Sequence, residues 1–103
     1  MDIKEVETKE EIFNLPCYFT EDGKKRYMEI LKYDMMHYNV YDEFGRIIKV
    51  YFFGDWWKYF YDDKRHKVTI IRLDAINCSK TKYVRDFRES DYPYYDFPEK
   101  SAI

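Results

Sequence analysis

The sequence predicts an α+β fold: a four-stranded antiparallel β-meander packed against one main helix, with a short N-terminal helix before it and an extended C-terminal tail after it. Two observations carry the prediction. Apolar positions recur at helical spacing up to residue 38 and give way to strand-like texture from Asn39 onward. The strand-like stretches are then separated by three short turn signals. A chain of 103 residues with 21% aromatic side chains has the length of one domain and enough apolar bulk to rule out a disordered segment.

The first element is announced by Thr8-Lys9-Glu10-Glu11, a Thr-x-x-Glu capping box that opens a short helix over 9–14, and Pro16 must end it. Thr20-Glu21-Asp22 reads as a second helix start, a hydroxyl followed by two acids in the first turn. From there Tyr27, Ile30, Leu31, Met35 and Tyr38 recur at helical spacing, so the main helix is expected over 20–38. The competing reading is a strand over 27–33. Helix is preferred because Lys, Arg, Met, Glu and Leu dominate there and β-branched residues are scarce.

The meander is expected over 39–73, with strands at 39–41, 46–53, 56–61 and 67–73. Gly54-Asp55 suits a two-residue type II′ turn, with Gly taking the positive φ at the first central position. A basic segment follows over 74–90, in which Val84 and Phe87 permit a short helix. The tail over 91–103 holds Pro93 and Pro98 and should be extended.

Charge is uneven although the net value is −2. Residues 1–23 sum to −5 and 89–103 to −3, whereas 61–88 sum to +4. Acidic ends folding back on the basic stretch would account for this, as would two faces of opposite sign that steer partners. The start of the chain reads as neither a signal peptide nor a membrane span, so a cytoplasmic setting without membrane contact is expected. Cys17 and Cys78 lie too far apart for a zinc or redox motif and are expected as reduced thiols, Cys17 buried among apolar neighbours.

Little in the sequence points to catalysis. The two histidines, His37 and His66, sit in no nucleophile or zinc motif, and three isolated glycines form no phosphate loop. No catalytic residue, metal or cofactor is assigned.

The expected function is therefore binding. Both faces of the meander are apolar, and Trp56 and Phe60 alternate with Trp57, Tyr59 and Tyr61. The face not covered by the helix is either covered by the chain termini or offered to a partner. With Asp91, Tyr92, Tyr94, Tyr95 and Asp96 of the tail, the residues Trp56, Trp57, Tyr59 and Tyr61 make an aromatic and acidic surface. Such a surface suits a protein partner: a host factor, a cognate toxin or a second copy of the chain. The most specific version is a small inhibitor or accessory protein of the kind carried by viruses and mobile elements, acting against host defence, or a toxin-immunity protein. The alternative is a small RNA- or DNA-binding module that uses Lys64, Arg65, Lys67, Lys80, Lys82, Arg85 and Arg88, with interleaved rings to stack on bases. The sequence pI of about 5.7 stands against a dedicated nucleic-acid binder.

Overall fold

The protein is described from a computed structural model covering residue 6, residues 8–31 and residues 35–86. The described residues form one antiparallel sheet in strict chain order with a single short helix. After α1 (Lys9–Phe13) come β1 (Cys17–Phe19), β2 (Lys25–Ile30), β3 (His37–Tyr41), β4 (Ile47–Phe52), β5 (Asp55–Asp62), β6 (Lys67–Asp74) and β7 (Ser79–Asp86). The expected N-terminal helix is present. Its cap is Thr8, whose hydroxyl accepts the Glu11 backbone N–H and donates to the Glu11 carboxylate.

The expected main helix is absent. Residues 25–30 and 37–41 are strands β2 and β3, paired in register Tyr27↔Tyr41, Met28↔Val40, Glu29↔Asn39 and Ile30↔Tyr38. The supposed helix cap at Thr20 is a hairpin turn. Thr20 N–H donates to Lys24 O, Gly23 N–H donates to Thr20 O, and Gly23 takes a φ of 82°. Asp42–Arg46 repeats that turn: Asp42 N–H donates to Arg46 O, Gly45 N–H to Asp42 O, and Gly45 has a φ of 81°. Both are type I turns closed by a left-handed glycine, the usual route into a bulged hairpin.

The four expected strands correspond to β3–β6, and the meander runs on at both ends to seven. The helix considered over the basic segment is strand β7, paired along its length with β6 from Asp74↔Ser79 to Lys67↔Asp86. In the β4–β5 turn the central residues are Phe53 and Gly54, with φ 48° and 97°, between the pair Phe52↔Asp55. Two positive φ values make this type I′, so Gly54 sits one position later than expected. A Cβ there would meet that of Ala75 at 3.3 Å. The β5–β6 and β6–β7 loops share one design. Asp62 and Asp74 each accept two loop N–H groups through Oδ1, and His66 and Cys78 close the loops with φ 54° and 53°.

Register sorts the sheet into two faces. One holds Tyr27, Tyr41, Ile47, Val50, Trp57, Tyr59, Val68 and Ile70, all buried in one cluster with Ile12 of α1 and Val6. Phe13 of α1 meets Tyr27 edge to face at 5.4 Å. Glu29 lies inside this face, 2% exposed, and accepts from the Val6 backbone N–H, Asn39 Nδ2 at 2.9 Å and the Tyr41 hydroxyl at 2.8 Å. That buried carboxylate ties the segment ahead of α1 to the sheet. The expected extended tail lies outside the described residues. Among those described, no helix is long and apolar enough to cross a membrane.

Candidate functional site: the open face of the sheet

The opposite face is the candidate site. Two rows cross it from β2 to β7. One is Met28, Val40, Lys49, Lys58, Ile71 and Lys82, and its neighbour is Ile30, Tyr38, Tyr51, Trp56, Leu73 and Lys80. Phe60 stands beside the first row and is 53% exposed. Only Val40 is buried; the rest are half-buried or exposed. Aromatic rings and lysines therefore share a solvent-facing surface.

The rings form a platform. Tyr38 and Tyr51 stack at 5.1 Å with their planes 20° apart, and Tyr51 is the cross-strand partner of Trp56. Lys58 Nζ lies 4.6 Å from the Trp56 ring centre, and Lys49 Nζ lies 5.6 Å from that of Tyr38. The ammonium groups of Lys49 and Lys58 thus lie over rings of this face, with the lysine stems packed along it.

Lys49 and Lys58 are directly opposite one another across β4 and β5. Like charges at such a position destabilise a sheet by ~0.2–1 kcal/mol. Among the described residues neither has a carboxylate partner, and the same is true of Lys80 and Lys82. The strand acids of this face are confined to the β5–β6 end, where Asp62 lies and Asp86 pairs with Lys67. Among the described residues, the positive charge at the centre of the face has no carboxylate partner.

The residues expected to carry function are distributed otherwise. Trp57 and Tyr59 are 2% and 3% exposed and belong to the core cluster. Tyr61 is half-buried; its hydroxyl donates to Ile47 O, and the Arg46 guanidinium lies 4.4 Å over its ring. Of that group only Trp56 is on the open face. Asp91, Tyr92, Tyr94, Tyr95 and Asp96 lie outside the described residues, as does Arg88. Of the basic set, Lys80 and Lys82 are on the open face, Lys64 and Arg65 are in the β5–β6 loop, and Arg85 is opposite Val68 on the core side. Cys17, expected to be buried, is exposed, as is Cys78. Tyr38, Lys49, Tyr51, Lys58 and Phe60 were not singled out by sequence reasoning. A signal for them exists: Trp56-x-Lys58-x-Phe60 carries a charge among its rings, whereas Trp57-x-Tyr59-x-Tyr61 does not, and the uncharged side of a strand is the one to bury.

Elsewhere the charged groups serve the fold. Arg46 reaches Asp42 at 2.9 Å and Asp63 at 2.6 Å; burial acts to lower its pKa, but the two carboxylates outweigh that and raise it. Among the described residues no three of His, Cys, Asp and Glu stand together as a metal-binding group. Comparison of the chain with protein-family models, with curated proteins and with solved structures finds no match.

Proposed function

We propose that the protein is a binding module for single-stranded nucleic acid, with the open sheet face as its binding surface. The observation that carries this is the opposed Lys49–Lys58 couple, without a carboxylate partner among the described residues, beside the Tyr38–Tyr51–Trp56 row. The mutual repulsion of two opposed cations is relieved by an anion placed between them, and a polyphosphate chain supplies a row of anions. Every base has a π-face, so unstacked bases settle on exposed rings without needing a sequence-specific hydrogen bond. In a duplex those faces are already stacked, which favours single strands. The acidic overall pI is no obstacle, because positive charge is concentrated where the rings are.

Relative to the sequence expectation, the basic site moves from the 64–88 segment to the sheet face and retains Lys80 and Lys82. Of the residues expected to meet a protein partner, Trp57 and Tyr59 are core residues, Trp56 stands on the open face, and Asp91, Tyr92, Tyr94, Tyr95 and Asp96 lie outside the described residues. Fluorescence anisotropy with a labelled oligopyrimidine strand and with the matching duplex, each at two salt concentrations, tests the reading. Salt-sensitive binding that prefers the single strand is the expected result. Absence of binding at low salt, preference for the duplex, or equal competition by polyglutamate would overturn it, the last in favour of an acidic protein partner.

A further inference from the structure

The open face is not flat. β3 and β4 are in register at Val40↔Lys49 but shift to Tyr41↔Ile47, which leaves Ile48 as the extra residue of a β-bulge. A bulge bends its strand and re-aims side chains, and such features recur beside binding sites. Here the bend accompanies a concavity of about 480 Å³, floored by Met28, Val40 and Ile48 and flanked by Lys49, Lys58 and Phe60. That volume is within the ~300–1,000 Å³ range of small-ligand pockets. The floor is apolar, one wall is a half-exposed ring, and two cations without carboxylate partners among the described residues stand at the rim.

We infer that this concavity receives one unpaired base of the bound strand, whose adjoining phosphate is held by Lys49 and Lys58. The assignment rests on the proposed nucleic-acid reading and adds to it a particular pocket and ligand, a nucleobase carrying phosphate. The flat, weakly polar base matches the floor and the Phe60 ring, and the phosphate matches the rim. Arg26 and Lys24 on the far side are committed to other groups, Arg26 to Glu43 at 2.8 Å and Lys24 toward Asp22 at 3.9 Å. The phosphate is therefore assigned to the β4–β5 side. A paired base would have to leave its stack to enter, at the cost of unstacking and unpairing.

The test compares an intact oligonucleotide with one of the same length lacking its bases, both on the unaltered protein, and adds a Met28→Trp variant that fills the floor. The intact strand is expected to bind more than tenfold tighter than the abasic one, because it gains the ring platform as well as the pocket and a single stacked base is worth about tenfold. Met28→Trp is expected to reduce that advantage by about tenfold, the share of one stacked base, while leaving the salt dependence unchanged. A nucleoside monophosphate alone should shift the Met28 and Ile48 methyl resonances, and inorganic phosphate should not. An advantage of the intact strand that is undiminished in Met28→Trp, with salt dependence retained, would overturn the pocket assignment while leaving the surface reading intact. Failure of the unaltered protein to bind either strand would overturn both.

Discussion

Replacing Lys49 and Lys58 together by Thr separates the cost of these lysines to the fold from their use in binding. In the free protein the exchange relieves an opposed like-charge pair worth ~0.2–1 kcal/mol. It also removes two lysine–ring contacts, at 4.6 and 5.6 Å, worth ~0.5–1 kcal/mol each at exposed sites. Thr is a good strand former, so propensity adds no penalty. The net cost is about 1 kcal/mol, and the melting temperature should move by no more than about 5 °C for a domain of this size. Binding should change far more. If Lys49, Lys58, Lys80 and Lys82 each neutralise one phosphate, log K falls with log salt at a slope of about −2.8 for a single strand. Raising salt from about 50 to 200 mM then weakens binding by about 50-fold. The double variant keeps two of the four contacts, its slope falls to about −1.4, and the same salt step costs only about sevenfold. Anisotropy titrations at four salt concentrations, with thermal melts alongside, read both quantities. An unchanged slope would refute phosphate contact by these lysines. A fall in melting temperature of more than about 10 °C would show that they hold the fold together and that the reasoning about their cost is wrong.

Three other outcomes test the two faces and the loops. Trp57→Ala should cost ~3–5 kcal/mol because the indole is fully packed, whereas Trp56→Ala should cost far less and weaken oligonucleotide binding; urea melts and anisotropy on both variants check the contrast. Glu29→Leu leaves the Val6 N–H, the Asn39 amide and the Tyr41 hydroxyl without their carboxylate, at ~1–3 kcal/mol for each buried donor. Its melting temperature should drop well below that of Glu29→Gln, which keeps an accepting oxygen. The Asp74 carboxyl is held below its ordinary value of 3.8, first by the Asn77 backbone N–H and then by the Asn77 side chain and the Ile76 N–H. A lowered folded value means that its contribution is present above the ordinary carboxylate range and is lost as pH falls through the folded value. The stability gap between the native protein and Asp74→Ala should therefore close between about pH 5 and pH 2, as followed by melting temperature.

How much of this was legible in the sequence depends on whether local chemistry or register carried the information. The Thr8 cap is local, and the helix it opens was readable. The strands β3–β6 were readable because Val, Ile, Tyr, Phe and Trp alternate between obvious turns. β2 was hidden by Glu29: a charge on the buried side breaks the period-two pattern, and the apolar positions that remain mimic a helix. The turn before it could have been recognised, since Thr20-Glu21-Asp22-Gly23-Lys24 has the same layout as Asp42-Glu43-Phe44-Gly45-Arg46. In both, an oxygen-bearing side chain opens the turn and a glycine three residues on closes it. β7 was hidden for the opposite reason. Ser79, Lys80, Thr81 and Lys82 are polar on both sides, so no alternation marks the strand, and its pairing with β6 decides its conformation.

The candidate site was half legible. Its aromatic content and the alternation of Trp56 with Trp57 follow from composition and spacing, but the choice of the Trp57 side as the working surface was reversed by burial. The opposed Lys49–Lys58 pair depends on a register across two strands and a one-residue bulge, neither of which the spacing of residues in one strand encodes.

The most direct test of the open-face reading is methyl chemical-shift mapping during titration with a short single-stranded oligonucleotide. Shifts should concentrate on Met28, Ile48, Ile71 and Leu73, which lie on the open side, while Ile12, Ile47, Val50, Val68 and Ile70 hardly move. Shifts confined to the core-side methyls, or no shift at all at low salt, would contradict it.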